Sequence, residues 1–424
     1  MKPDDLSMSS ADKSSEVADI SSDRTKWQGP VRDVASSWQD DPLVSWLMTR
    51  LHLPNAEMTF LAELCERLIG DGVPVGRAFC GLLSLHPLFV SRQLVWRAET
   101  GTEFFTRDHD AIGSEFYLKS PVYLIHQGAS AVRRRLDQPD DDLEFEIWRE
   151  QRAEGMTDYI ALPMKHSTGQ VNIISFSTAA PGGFTVDHLA RLEEILPLLT
   201  LRFELANAYN MTQSVMTTYL GKAAARRVLA GTIRRAETEE IEAAIFYCDL
   251  RGFTAMSDRM TGDGIVALLD DYFDCVINPI FDQGGEVMKF IGDGLLAMFP
   301  MQGPDHDTAA GRALTAAETA LHNLDALSAT RVANGASKLS AGIALHVGRV
   351  MFGNIGAADR LDFTVIGRAV NEVSRVEALT RTLDVDILTT ENFRAHGPGK
   401  PLRSLGFQVL PGVKEPQELF TPEE

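Results

Sequence analysis

Apolar residues along this chain change period several times, and each change predicts an element. Around Thr59 to Leu68 they recur at helical spacing, whereas Phe79 to Leu83, Tyr159 to Pro163 and Val171 to Ser177 are short runs bounded by turn residues, hence strands. From Val186 to about Thr217, Leu189, Leu192, Ile195, Leu196, Leu199, Phe203 and Ala206 step by threes and fours, which predicts an amphipathic helix with Pro197 inside it. That helix is expected either to pair with a second copy or to pack on the preceding sheet. A further short helix is expected between Tyr219 and Gly231, ended by the glycine.

Downstream the pattern turns to chemistry. The apolar run Ala243 to Tyr247 stops at Asp249, and Arg251 to Thr254 then turn into a helix carrying Ile265, Leu268, Leu269, Tyr272, Phe273 and Val276 on one face, up to Gly284-Gly285. Glu286 to Ile291 and Leu295 to Phe299 flank Gly292-Asp293-Gly294 as a hairpin. An Ala-rich helix around Thr308 to Leu327, a strand at Leu339 to Val347 and a strand-to-helix unit from Leu361 to Leu383 follow, so an α/β sandwich is expected. Asp249 and Asp293 then stand at neighbouring strand ends, where two carboxylates suit a divalent cation, with the Leu250 carbonyl a further ligand candidate. The amides of Gly252, Phe253 and Thr254 open the next helix and can meet phosphate oxygens; no Gly-Lys-Ser/Thr loop competes for that task.

Composition narrows the partners. A length of 424 residues predicts two or three domains, and the formal charge of -19 argues against nucleic acid or an anionic membrane as partner. Four scattered cysteines fit a reducing compartment, and no apolar run approaches the roughly 18 residues of a membrane span. With an acidic, Ser-rich start in place of a leader, a cytoplasmic location is expected. Residues 1 to about 40 are too polar to build a core and are expected to form a disordered tail. His86, His109, His126 and His166 show no ligand spacing and receive no role.

Residues 42–205 resemble a GAF-like sensory domain in their element order and in Gly182-Gly-Phe-Thr185 entering a helix. Further on, three motifs stand in order: Phe246-Tyr-Cys-Asp-Leu-Arg-Gly-Phe-Thr254, Gly284-Gly-Glu-Val-Met-Lys-Phe-Ile-Gly-Asp-Gly294 and Asp362-Phe-Thr-Val-Ile-Gly-Arg-Ala-Val-Asn-Glu-Val-Ser-Arg375. Together they resemble the catalytic domain of class III adenylate and guanylate cyclases. The resemblance implies a regulatory region over 42–205, a helical linker over 206–239 and a cyclase domain over 240–424. It also implies two magnesium or manganese ions per site on Asp249, Leu250 and Asp293, Asn371 positioning the ribose, and Arg375 stabilising the phosphoryl transition state. Lys289 and Thr364 would read the base, which points to ATP and to the threonine-bearing subclass, some of whose members respond to bicarbonate. Lys414 would reach a terminal phosphate. The acids of one chain would face Lys289, Thr364, Asn371 and Arg375 of another, so a homodimer with two composite sites is expected. Two alternatives are a guanylate cyclase and an inactive cyclase fold that senses nucleotide. Arg368 and Glu372 depart from the family pattern without touching an inferred role.

Overall fold

The computed structural model describes residues 40–50, 57–138, 143–301 and 308–423, so residues 1–39 of the expected tail lie outside the described residues. Two sheets organise the chain. The first contains β1 (Arg77–Leu83), β2 (Ser91–Arg97), β3 (Gly101–Arg107), β4 (Val132–Arg135), β5 (Asp158–Lys165) and β6 (Val171–Thr178), in the order β3-β2-β1-β6-β5-β4 and antiparallel throughout. Its side chains alternate between two cores. Ala78, Cys80, Leu82, Ile174 and Phe176 pack under helices α1 (Pro42–Arg50) and α2 (Glu57–Gly70). Phe79, Ile173 and Tyr159 face the other way, toward α3 (Glu115–Leu118), α4 (Pro121–His126) and α5 (Glu146–Ala153), where Ile125 and Trp148 close a smaller cluster.

The predicted amphipathic helix is α6 (Val186–Leu220), 35 residues long and opened by a reciprocal cap between Thr185 and His188. It continues through Pro197, because Leu192, Ile195, Leu199 and Phe203 are buried against the first core on both sides of the proline. Gly221, with φ +81°, separates it from α7 (Lys222–Leu229), which sets Ala224 and Ala225 against the second sheet.

The second sheet comprises β7 (Thr238–Leu250), β8 (Glu286–Ile291), β9 (Gly294–Pro300), β10 (Ala341–Ala357), β11 (Arg360–Ile366), β12 (Ile387–Thr390), β13 (Leu402–Gln408) and β14 (Gln417–Pro422). Seven run in the order β13-β14-β12-β10-β7-β9-β8, and β11 folds back on β10. One face packs α9 (Gly262–Asp282) and α10 (Ala309–Ala333); the other packs α7 and α11 (Arg368–Ala378), giving the expected mixed α/β layers. Two elements differ from the sequence expectation. The helix after Asp249 is split into α8 (Phe253–Ser257) and α9, because the Thr261 hydroxyl accepts from the Gly264 amide and caps a new start at Gly262. The strand expected to end at Val347 runs to Ala357, since β7 continues to pair with it as far as Thr238 opposite Gly353. Among the described residues no helix is long and apolar enough to cross a membrane.

Candidate active site

Alternation along β7 decides where Asp249 points. Phe246, Cys248 and Leu250 enter the core under α9 and α10, so Tyr247 and Asp249 fall on the face that carries α11. β9 lies beside β7 with Leu295 opposite Cys248, which brings the β8–β9 turn and Asp293 to the end of β7. Contact there is close: a Cβ at Gly294 would stand 3.0 Å from Asp249 Oδ1 and 2.9 Å from the Cys248 carbonyl oxygen, so this position requires glycine. Burial raises the Asp249 carboxyl to about 6, and the negative charge of Asp293 adds to the rise.

The sequence reading missed a third acid. Glu377, on α11, is 7% exposed and raised to about 7, first by burial and then by the charge of Asp249; Arg381 opposes the rise. Its Oε1 lies over β10, 2.5 Å from where a Cβ at Gly342 would be. A signal was available: Val373, Val376 and Glu377 all lie on the buried face of α11, and a carboxylate in such a stripe calls for a partner. Arg251, inside the first motif, donates to the Val385 carbonyl at 2.6 Å and pairs with Asp386 at 3.0 Å. Gly252 has φ +74° and starts α8, placing the Phe253 and Thr254 amides at the first turn of a five-residue helix.

Arg375 lies elsewhere. Its guanidinium rests on the loop after β13, where a Cβ at Gly412 would come within 3.2 Å of Nη1, and Lys414 is two residues further along that exposed loop. Two residues on a helix subtend about 200°, so Arg375 and Glu377 leave α11 on opposite sides. Asn371, one turn before Arg375, is exposed on the same side. The departure at Glu372 has a structural purpose. Glu372 is buried, accepts from Arg368 Nε at 2.6 Å and stands 3.5 Å from His346 Nε2, while His346 Nδ1 meets Thr390 Oγ1 at 2.8 Å. This chain fastens the helix bearing Asn371 and Arg375 to β10 and β12.

The two expected base readers stand on β8 and β11, which an ion pair joins. A register shift between Val287 and Lys289 breaks the regular alternation of β8. Lys289 Nζ then reaches Asp362 Oδ2 on β11 at 3.2 Å. Thr364, two residues on, is 2% exposed and its hydroxyl has no hydrogen-bond partner.

Among the described residues no group of three or more His, Cys, Asp or Glu side chains is arranged to hold a metal alone. The Asp249–Asp293 pair nevertheless fits magnesium or manganese, which take one or two carboxylates and complete their shell with phosphate oxygens and water. Burial, and after it the charge of Asp293, raises the Asp249 carboxyl, and a cation at the pair would offset both. Asp249 and Glu377 ionise near 4 when unfolded but hold protons to about 6 and 7 when folded. Between those limits these two groups bind more protons in the folded chain than in the unfolded one, so their contribution to the stability of the metal-free protein falls as pH rises from about 4 to 7. A cation at the pair displaces those protons, so its stabilising effect grows over the same range. Thermal unfolding at pH 5 and pH 8, with and without manganese, should show the larger increment at pH 8. Equal increments would remove Asp249 from the ligand set.

Comparisons with known proteins bear on the same half of the chain. Residues 236–395 match the family described as adenylate and guanylate cyclase catalytic domain. An adenylate cyclase of Anabaena cylindrica is 31% identical over 243 residues, 54% of this chain and 48% of that protein. Adenylate cyclase 1 of Rhizobium meliloti is 28% identical over 35% of this chain and 22% of its own length. The chain thus spans about half or less of these relatives. Among solved structures, the adenylyl cyclase CyaB of P. aeruginosa is 25% identical, covering 44% of this chain and 96% of its own, with a TM-score of 0.40. The guanylyl cyclase Cya2 is 27% identical, covering 43% and 92%, with a TM-score of 0.39. Over residues 236–395 this chain is similar to the adenylate and guanylate cyclase catalytic domain.

Proposed function

We propose that the protein is an adenylate cyclase of the threonine-bearing subclass, converting ATP to 3′,5′-cyclic AMP and pyrophosphate under control of its N-terminal region. The observation that carries the choice of ATP is the buried Thr364 hydroxyl, unpartnered on the strand that also holds the partner of Lys289. Adenine presents an acceptor at N1 and a donor at its amino group, which suit a lysine and a hydroxyl oxygen respectively. Guanine presents a donor at N1, which would set the lysine against another donor.

Asp249 and Asp293, with the Leu250 carbonyl, would hold the cations. Divalent ions bound there would lower the pKa of the ribose 3′-hydroxyl and neutralise the triphosphate. The amides of Gly252, Phe253 and Thr254 receive phosphate oxygens, and Lys414 a terminal one. Asn371 orients the ribose, and the Arg375 guanidinium meets the charge that builds on the α-phosphoryl group during in-line attack. Because Arg375 and Asn371 leave α11 away from the acids, the site is completed by a second copy of the chain, giving two composite sites per homodimer.

Purified full-length protein given equal ATP and GTP with manganese should form mainly cyclic AMP. Predominant cyclic GMP would select the guanylate reading, and no product from either nucleotide would favour a nucleotide-sensing fold.

A further inference from the structure

One face of the first sheet lines a half-open cavity of about 380 Å³, far in sequence from the acids and Arg375 and assigned no role above. That size lies at the small end of ligand pockets. Its floor is the face of β1 and β6 opposite the α2 and α6 core, and Phe79, Tyr159, Ile173 and Ile147 give it apolar walls. Polar groups enter at one end. Arg77 is 7% exposed, its Nε makes no hydrogen bond, and the Glu154 carboxylate stands 3.9 Å away. Gln151 is fully buried; its Oε1 accepts from Ser177 Oγ, and its Nε2 makes no hydrogen bond. Arg77 and Ser177 are register partners on β1 and β6, so the two unpaired donors lie side by side.

Charge favours the same ligand. Three guanidinium groups line the cavity, on Arg77, Arg97 and Arg107, against the single carboxylate of Glu150. Arg97 is engaged by Glu103 at 2.8 Å and Glu154 at 3.5 Å, and Arg107 is exposed, so Arg77, whose carboxylate neighbour Glu154 stands beyond hydrogen-bond distance, is the buried cation with an unused donor. Buried donors without partners are costly, and a cavity that gathers two of them beside aromatic walls is built for a molecule with acceptors at one end and an apolar body.

We propose that this cavity binds a compact organic anion, a carboxylate on an aromatic body, whose oxygens accept from Arg77 Nε and Gln151 Nε2 while the ring packs against Phe79, Tyr159 and Ile173. The inference does not depend on the cyclase reading.

The test titrates full-length protein with 2-naphthoate and with uncharged 2-naphthamide, following naphthyl fluorescence and the unfolding midpoint. Naphthoate should saturate and bind at least about tenfold tighter than the amide, the expected difference for hydrogen bonds to a charged group. Arg77→Met and Gln151→Leu should each weaken naphthoate about tenfold or more and bring acid and amide together. Arg375→Ala should leave naphthoate binding unchanged, which separates this cavity from the nucleotide site. Without ligand, Arg77→Met should unfold no earlier than the parent, because it removes a buried donor that lacks a partner; Gln151→Leu provides the same reading if Arg77→Met does not fold. Equal affinity for acid and amide, absence of saturation by both, or unchanged binding in the folded Gln151→Leu protein would overturn the proposal.

Discussion

Asp293→Ala and Arg375→Ala chains, each inactive alone, are expected to recover about half of the parental turnover per dimer when purified as a verified heterodimer. The reason lies in α11. Glu377 points to Asp249 and Arg375 points to the Gly412 loop, so one helix cannot present its arginine to its own chain's acids. A heterodimer built from these variants has one site with both defects and one with none. Loss of Arg375 alone should cost roughly 10³-fold in kcat, the usual scale for an arginine that meets charge in a phosphoryl transition state. The defect should fall on kcat with KM for ATP little changed, since the guanidinium acts where charge develops. Absence of recovery in the heterodimer would sink the shared-site arrangement while leaving the residue roles open to separate test.

Asp249→Ala should lower activity by about 10³-fold or more with magnesium, and manganese should not restore it, because a metal ligand worth several kcal/mol has gone. Misfolding is separable from this loss. Folding raises the Asp249 carboxyl to about 6, which means that its ionised form is disfavoured in the metal-free protein. Removing it should therefore leave the metal-free unfolding midpoint at pH 8 unchanged or higher, while the manganese-dependent increment disappears. Undiminished turnover under manganese would refute the assignment of Asp249 as a ligand.

Much of the site was legible because its signals are local. An apolar run that stops at an acid, and a Gly-Asp-Gly between two apolar stretches, are statements about neighbours along the chain, and β7 and the β8–β9 turn realise both. The α6 pattern was legible for the same reason, since three- and four-residue steps define one face whatever covers it. The continuation of β10 was not, because Gly348 and Arg349 interrupt its apolar pattern while its pairing with β7 persists. Glu377 was missed because periodicity marks a buried face without naming what lies opposite it. The split between α8 and α9 turned on one cap, the Thr261 hydroxyl, which outweighed the continuity of the apolar stripe.

The sequence by itself determined several of the strands and helices, the two acids after apolar runs and the spacing of Asn371 and Arg375, because short-range periodicity and turn chemistry specify these without reference to the rest of the chain. Only the tertiary structure decided that Glu377 crowds Asp249, that Lys289 reaches Asp362 through a register shift in β8, and that Arg375 faces the Gly412 loop. It alone placed Arg77 and Gln151 in the lining of one cavity. Each of these joins residues on separate elements, and which faces meet is set by sheet register and layer packing, quantities that no local pattern encodes.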